Sequence, residues 1–146
     1  MFKIMKTYDG SISSNINNVG ATVKDIINSV KAAYGPLDED TLFELTVVLN
    51  EILLNAVKHG NKQDETKQVK IAAGIDKSGF ACFIVEDEGC GYDYDSLCSR
   101  KTGCDEGDDI CSIMESGRGI MIVKNLCDKV RVNSKGNKIV VMKKLG

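Results

Sequence analysis

Histidine is almost missing from this sequence. His59 is the only one in 146 residues, which excludes a site built on two imidazoles and leaves little room for a Ser/His/Asp nucleophile. The six cysteines, at positions 82, 90, 98, 104, 111 and 127, include no Cys-x-x-Cys pair, so a zinc centre is not expected. No apolar run approaches the roughly 18 residues of a membrane span. Residues Met1 to Lys6 interleave lysines with apolar side chains, unlike the continuous apolar segment of a signal peptide. These absences predict a cytoplasmic protein without membrane contact, its cysteines free thiols in a reducing compartment. Neither sign of charge dominates, with 19 Lys and Arg against 21 Asp and Glu. The basic residues form no strip that could displace counterions from a phosphate backbone, so nucleic-acid binding is disfavoured. A Walker A sequence and a complete Gly-x-Gly-x-x-Gly are also lacking, which removes the commonest nucleotide folds.

The remainder resembles an ordinary globular domain, 42% hydrophobic and 27% charged, and predicts a single domain over residues 1–146 with one core. Phe2, Ile4, Thr7 and Tyr8 before Asp9-Gly10 predict a short edge strand that ends in a turn. Ile16, Val19, Val23, Ile26, Ile27 and Val30 have helical spacing, so a first helix starts at Ser14 or Asn15 and stops at Tyr34-Gly35-Pro36. A second helix, capped by Asp38 or Asp40, carries Leu42, Leu45, Val48, Leu49, Ile52, Leu53, Ala56 and Val57 as far as Gly60. Residues 69–75 and 80–85 read as a hairpin across Asp76 to Gly79. An acidic stretch follows from Tyr92 to Ser116, too long for an ordinary connection and of the kind that is either a functional lid or disordered. A third helix over 120–126 and strands over 129–133 and 138–143 complete the order. The fold class is an α/β (α+β) two-layer sandwich with helices on one sheet face.

Three groups of residues could carry chemistry. On the second helix Glu44, Glu51, Asn55 and Lys58 form a narrow polar stripe flanked by Val47, Val48, Ile52 and Leu54. A solvated helix face would explain the stripe. So would a carboxylate and an amide oxygen one turn apart serving a general base and a hard cation, and Asn is a poor residue for mid-helix without such a reason. The second group is Asp87-Glu88-Gly89-Cys90-Gly91, where a strand enters an acidic turn. Asp87 is in phase with Ala81, Phe83 and Val85, so if that face meets the helices its carboxylate lies at a pocket rim, able to accept from an amino group. An ordinary Asp/Gly turn is the alternative. Calcium is not expected, because the spacing of the Asp-x-Asp-x-Asp-Gly loop is missing. The third is Ser116-Gly117-Arg118-Gly119 before Ile120, either a plain cap or a glycine-opened helix start whose free N–H groups suit phosphate.

In this order, Glu51-Ile52-Leu53-Leu54-Asn55-Ala56-Val57-Lys58-His59-Gly60-Asn61, Asp87-Glu88-Gly89-Cys90-Gly91 and Gly117-Arg118-Gly119 resemble the ATPase fold shared by gyrase, MutL and histidine kinases. Within it, the Asn-Ala-x-x-His-Gly-Asn end of helix two is similar to that of the bacterial anti-sigma factor serine kinases. The resemblance, from about Thr7 onward, implies a Bergerat-type sandwich with a mixed, mainly antiparallel sheet and a mobile ATP lid over about 92–116. It implies ATP and Mg²⁺ as ligands, with Glu51 as the general base, Asn55 on Mg²⁺ and Asp87 on the adenine amine. Gly89 and Gly91 would shape the turn under the base, and Gly117, Arg118 and Gly119 would hold phosphate. It further implies a protein-serine kinase that sequesters a sigma factor, phosphorylates a STAS-type anti-sigma factor antagonist and forms a homodimer. An ATP-binding module that grips a partner without phosphoryl transfer is the alternative. The acidity of the lid and the cysteines at 90, 98, 104 and 111 in or beside it depart from what the resemblance requires.

Overall fold

A helix that gathers Val19, Val23, Ile26, Ile27 and Val30 on one side must bury that stripe against another element. In the computed structural model, which describes residues 4–89 and 121–146, it does so. Helix α1 (Val19–Tyr34) packs against α2 (Glu39–Leu54) and against β1 and β2 of a five-stranded sheet. The strands are β1 (Ile4–Ser13), β2 (Gln68–Asp76), β3 (Phe80–Glu86), β4 (Lys129–Val132) and β5 (Lys138–Lys144). Their order is β1-β2-β3-β5-β4, and every pairing among them is antiparallel, so no parallel pair accompanies the antiparallel ones among the described strands. Residues 121–126 are helical, here called α3. Among the described residues no helix is long and apolar enough to cross a membrane.

The core lies between the helices and one face of the sheet. Ile26, Val30, Leu45, Leu49 and Leu53 from the helices and Ala81, Phe83 and Val141 from the sheet are fully enclosed. Ile71, on β2 opposite Val85 of β3, is 1% exposed. Shortening it by one methylene, Ile71→Val, is expected to cost about 0.5–1.5 kcal/mol, because a packed interior does not close over the gap. Chemical denaturation would show this as a lower midpoint at an unchanged slope.

Local chemistry sets the joints. Asp38 caps α2 by accepting from Thr41 N–H at 2.7 Å, and that bond holds its carboxyl below the usual carboxylate range. In the β2–β3 turn Asp76 Oδ1 accepts from the N–H groups of Ser78 and Phe80, each at 2.9 Å. Gly79 there takes φ +88°, a conformation that glycine reaches without a side-chain clash. At Asp9-Gly10 the sequence expectation is corrected. The strand does not turn there but continues to Ser13, with Asp9 opposite Ala72 and Gly10 opposite Ile71. A register shift between Lys6 and Tyr8 absorbs the irregularity, so pairing with β2 overrides the local turn preference. The first helix also starts later than expected. Asn15 caps a three-residue 3₁₀ turn, Ile16–Asn18, and α1 begins at Val19.

Candidate functional site

Helix α2 changes character at its end. From Asn55 to Gly60 the backbone is a π-helical turn, with Asn61 N–H reaching back five residues to Ala56 O at 2.8 Å. The Asn55 N–H is shared between Glu51 O and Ile52 O, where the wider turn begins. One such turn inserts a residue and re-aims the side chains that follow, a device frequent at functional sites. Lys62 and Gln63 then take φ of 53° and 58°, a left-handed pair that leads the chain away from the helix axis toward β2.

Asn55 is buried, and its Nδ2 has no hydrogen-bond partner among the described residues. A buried amide donor left without an acceptor costs on the order of 1–3 kcal/mol, so the fold carries a penalty here that a ligand acceptor would relieve. Glu51, one turn earlier, is half-buried. The stripe drawn from the sequence divides at this point. Glu44 pairs with Lys143 of β5 at 2.6 Å, and the Lys143 ammonium also donates to Leu126 O, at the end of α3, at 2.7 Å. Glu44 therefore ties α2 to the sheet and α3, whereas Glu51 and Asn55 lie toward the π turn.

That π turn meets the acidic turn after β3. Asp87 is 4% exposed, in line with the enclosed Ala81, Phe83 and Val85, so the sheet phase read from the sequence places it on the helix side. Its Oδ1 accepts from Gly89 N–H at 2.8 Å. A Cβ added to Gly60 would stand 2.2 Å from Asp87 Oδ2, and one added to Gly89 would stand 1.8 Å from Gly60 O. Two glycines from motifs far apart in sequence thus let the end of α2, the carboxylate and the turn touch without side chains between them. Burial pushes the Asp87 carboxyl above its usual range, the Gly89 N–H pulls it back in part, Glu86 adds to the rise, and Lys135 and Lys67 oppose it. Gly60→Ala is expected to displace the carboxylate and to cost about 1–3 kcal/mol, the usual scale of overpacking. A melting temperature equal to the wild type would contradict the contact.

Asp87 therefore lies against Gly60 at the end of the π turn that Asn55 opens, with Glu51 one turn before Asn55 on the same helix. Gly89 is placed with Asp87. Cys90, Gly91, the predicted lid over 92–116, and Gly117, Arg118 and Gly119 lie outside the described residues. Of the cysteines, Cys82 and Cys127 are free thiols. Burial raises both, Cys127 to about 11, so each is a protonated, weakly nucleophilic thiol at neutral pH.

Three polar residues buried at this junction had no role in the sequence reading, although Asn61 closes its Asn-Ala-x-x-His-Gly-Asn segment: Ser14, Asn61 and Asn137 are 0%, 1% and 9% exposed. The available signal was an Asn directly after Gly60 and another within the turn before the last strand. Asn137 reads equally well as an ordinary loop residue.

Residues 12–144 match the model of the histidine kinase-like ATPase domain. The chain is 29% identical to the serine-protein kinase RsbW of Bacillus subtilis (strain 168) over 105 residues, 72% of this chain and 65% of that protein. It is 28% identical to the anti-sigma F factor of Priestia megaterium over 95 residues, 65% of this chain and 62% of that one. The chain thus spans somewhat under two thirds of the length of these two relatives. A second serine-protein kinase RsbW, from Oceanobacillus iheyensis, is 22% identical over 123 residues, 84% of this chain and 74% of that one. Among solved structures the fold is similar to the histidine kinase domain from the Erythrobacter litoralis EL346 blue-light activated histidine kinase, with a TM-score of 0.52 at 18% identity, covering 87% of this chain and 61% of that chain.

Proposed function

Because the chain belongs to the histidine kinase-like ATPase domain family, we propose that it is an ATP-dependent anti-sigma factor with protein-serine kinase activity. It holds a sigma factor out of action and phosphorylates a serine of a STAS-type antagonist. The relatives' names, serine-protein kinase and anti-sigma F factor, support this reading. The observation that carries it is the buried Asn55 amide with its unpartnered nitrogen, one helical turn after Glu51 and on the segment that touches Asp87 through Gly60.

In this reading Asn55 would hold Mg²⁺ through its amide oxygen, and its unpartnered nitrogen would be free to donate to the bound nucleotide. Mg²⁺ characteristically takes one or two protein oxygens and completes its shell with phosphate and water, so one amide beside a triphosphate suits it. When bound, the cation neutralises charge on the phosphates. Glu51 takes the proton of the acceptor serine hydroxyl as that oxygen bonds to the γ-phosphorus and the bond to the leaving ADP oxygen breaks. Asp87 accepts from the adenine amine, and Gly89 and Gly91 are the residues proposed to lie beneath the base. Gly117, Arg118 and Gly119 are the residues proposed to hold phosphate. The reading includes one domain over residues 1–146 and a cytoplasmic homodimer without nucleic-acid or membrane contact.

The regulatory half of the proposal is tested with purified sigma factors from the same cell. One of them is expected to co-elute with the protein in Mg·ATP and to be released by unphosphorylated antagonist. Retention of none of them would overturn the anti-sigma role and leave the ATP site to be judged on its own.

A further inference from the structure

The Asp87 carboxylate sits in a turn whose backbone is gripped from both sides by buried amides. On one side is Asn61. Its Oδ1 accepts from Glu88 N–H at 2.8 Å, and its Nδ2 donates to Ser14 Oγ at 2.8 Å and Gln68 O at 3.0 Å. Ser14 Oγ in turn donates to Lys67 O at 2.8 Å. The amide orientation is fixed by these partners, because Glu88 N–H can only donate, Gln68 O can only accept, and the hydroxyl proton of Ser14 is already engaged. One side chain thereby joins the end of β1, the end of the π turn, the start of β2 and the acidic turn. The Glu88 carboxylate adds a second tie by accepting from Gln68 N–H.

On the other side is Asn137, at the head of β5. Its backbone carbonyl accepts from Asp87 N–H at 2.9 Å, and its Nδ2 donates to Asp87 O at 3.0 Å. Asn137 is itself held by Asn133, whose Nδ2 donates to Asn137 Oδ1 at 2.8 Å and whose Oδ1 accepts from Asn137 N–H at 3.1 Å. The peptide groups on both sides of Asp87 are therefore fixed. So is the Gly89 N–H that orients its carboxylate, because it follows directly on the anchored Glu88.

We propose that Asn61 and Asn137 are positioning residues for base recognition: by clamping the backbone at Asp87 and Glu88, they aim the Asp87 carboxylate at the exocyclic amine of a purine and so set the preference for adenine. This rests on the reading of Asp87 as the acceptor for that amine. A satisfied buried polar network specifies one geometry, and a site built to hydrogen-bond a particular group rejects an analogue lacking it only while its own acceptor is held in place. Loss of either clamp loosens the carboxylate and lowers discrimination more than it lowers overall binding.

The experiment measures dissociation constants for ATP and for inosine triphosphate, in which a carbonyl oxygen replaces the amine. It uses the full chain with Mg²⁺, below the melting temperature of each variant. The wild type is expected to prefer ATP by at least about tenfold, the scale of one well-placed hydrogen bond to a charged group. In Asn61→Ala and Asn137→Ala the preference is expected to collapse toward equality. Val30→Ala, a cavity in α1, lowers the melting temperature and is expected to keep it, which separates positioning from lost stability. If Asn61→Ala does not fold, Asn137→Ala decides alone. An undiminished preference in the folded variants would overturn the clamp while leaving Asp87 as the amine acceptor. A wild type that binds ATP and inosine triphosphate equally, or neither, would overturn the reading of Asp87 and the clamp with it.

Discussion

Asp87→Asn is expected to weaken ATP binding about a hundredfold and at the same time to raise the melting temperature of the ligand-free protein at pH 7. Both effects follow from one buried carboxylate. A charged acceptor facing an amine contributes roughly 1.5–3 kcal/mol, and an amide in its place presents one weaker acceptor and a mismatched donor. In the ligand-free protein that same charge is a liability. Burial raises the Asp87 carboxyl above its ordinary value, so the folded state holds the proton more tightly than the unfolded chain. The native state is thus favoured relative to the unfolded one at low pH, and that advantage is lost as pH rises through the folded value. Asn can still accept from Gly89 N–H and carries no charge to bury. The gain is expected to show at pH 7 as a higher melting temperature. It should disappear as the pH falls below about 3.9, where the wild-type carboxyl is protonated in both states. Thermal unfolding at pH 7 and at acid pH, beside calorimetric titration with ATP, checks both halves. A lower melting temperature at pH 7 would mean that the Gly89 hydrogen bond to the ionised group outweighs its burial.

Glu51→Ala is expected to leave ATP affinity little changed and to reduce phosphoryl transfer to the antagonist by about 10²–10⁴-fold. A general base acts on a proton that moves only as the new bond forms, so its removal is felt in kcat and not in the ground-state complex. Glu51 stands before the helix widens into the π turn, half-buried, whereas Asn55 is enclosed. On the proposed reading the chemistry falls to the first and the phosphate-bound cation to the second. Single-turnover transfer with saturating ATP measures the step directly. An equal loss of affinity and rate would assign Glu51 to binding.

The elements whose pattern is local were legible in the sequence. The stripe of α1, the Asp38 cap and the Asp76 to Gly79 hairpin each depend on residues within a few positions of one another. The structure shows them where the spacing places them. Where a distant partner decides, the sequence reading failed. Asp9-Gly10 has the composition of a turn, yet β2 holds it extended. The polar stripe on α2 gave no sign of the use Glu44 finds in pairing with Lys143 of the last strand. Gly60 read as a helix stop, and its other use, admitting Asp87 to within contact of the backbone, depends on a strand that begins 20 positions later. The π turn leaves no mark in hydrophobic spacing, because Ala56 and Val57 would be buried in an α-helix as well. The buried amides were least visible. Asn61 and Asn137 occupy sequence positions typical of exposed loops, and only the assembled junction encloses them.

On the proposed reading this site transfers phosphate from ATP to a protein. Its most direct test incubates the protein with [γ-³²P]ATP, Mg²⁺ and purified antagonist candidates from the same cell, alongside Glu51→Ala and Asp87→Asn. Labelled serine is expected on one antagonist, lost with Glu51→Ala despite retained ATP binding and lost with Asp87→Asn at ATP concentrations that saturate the wild type. ATP binding through Asp87 with no antagonist labelled by the wild type, or labelling that survives Glu51→Ala, would contradict it.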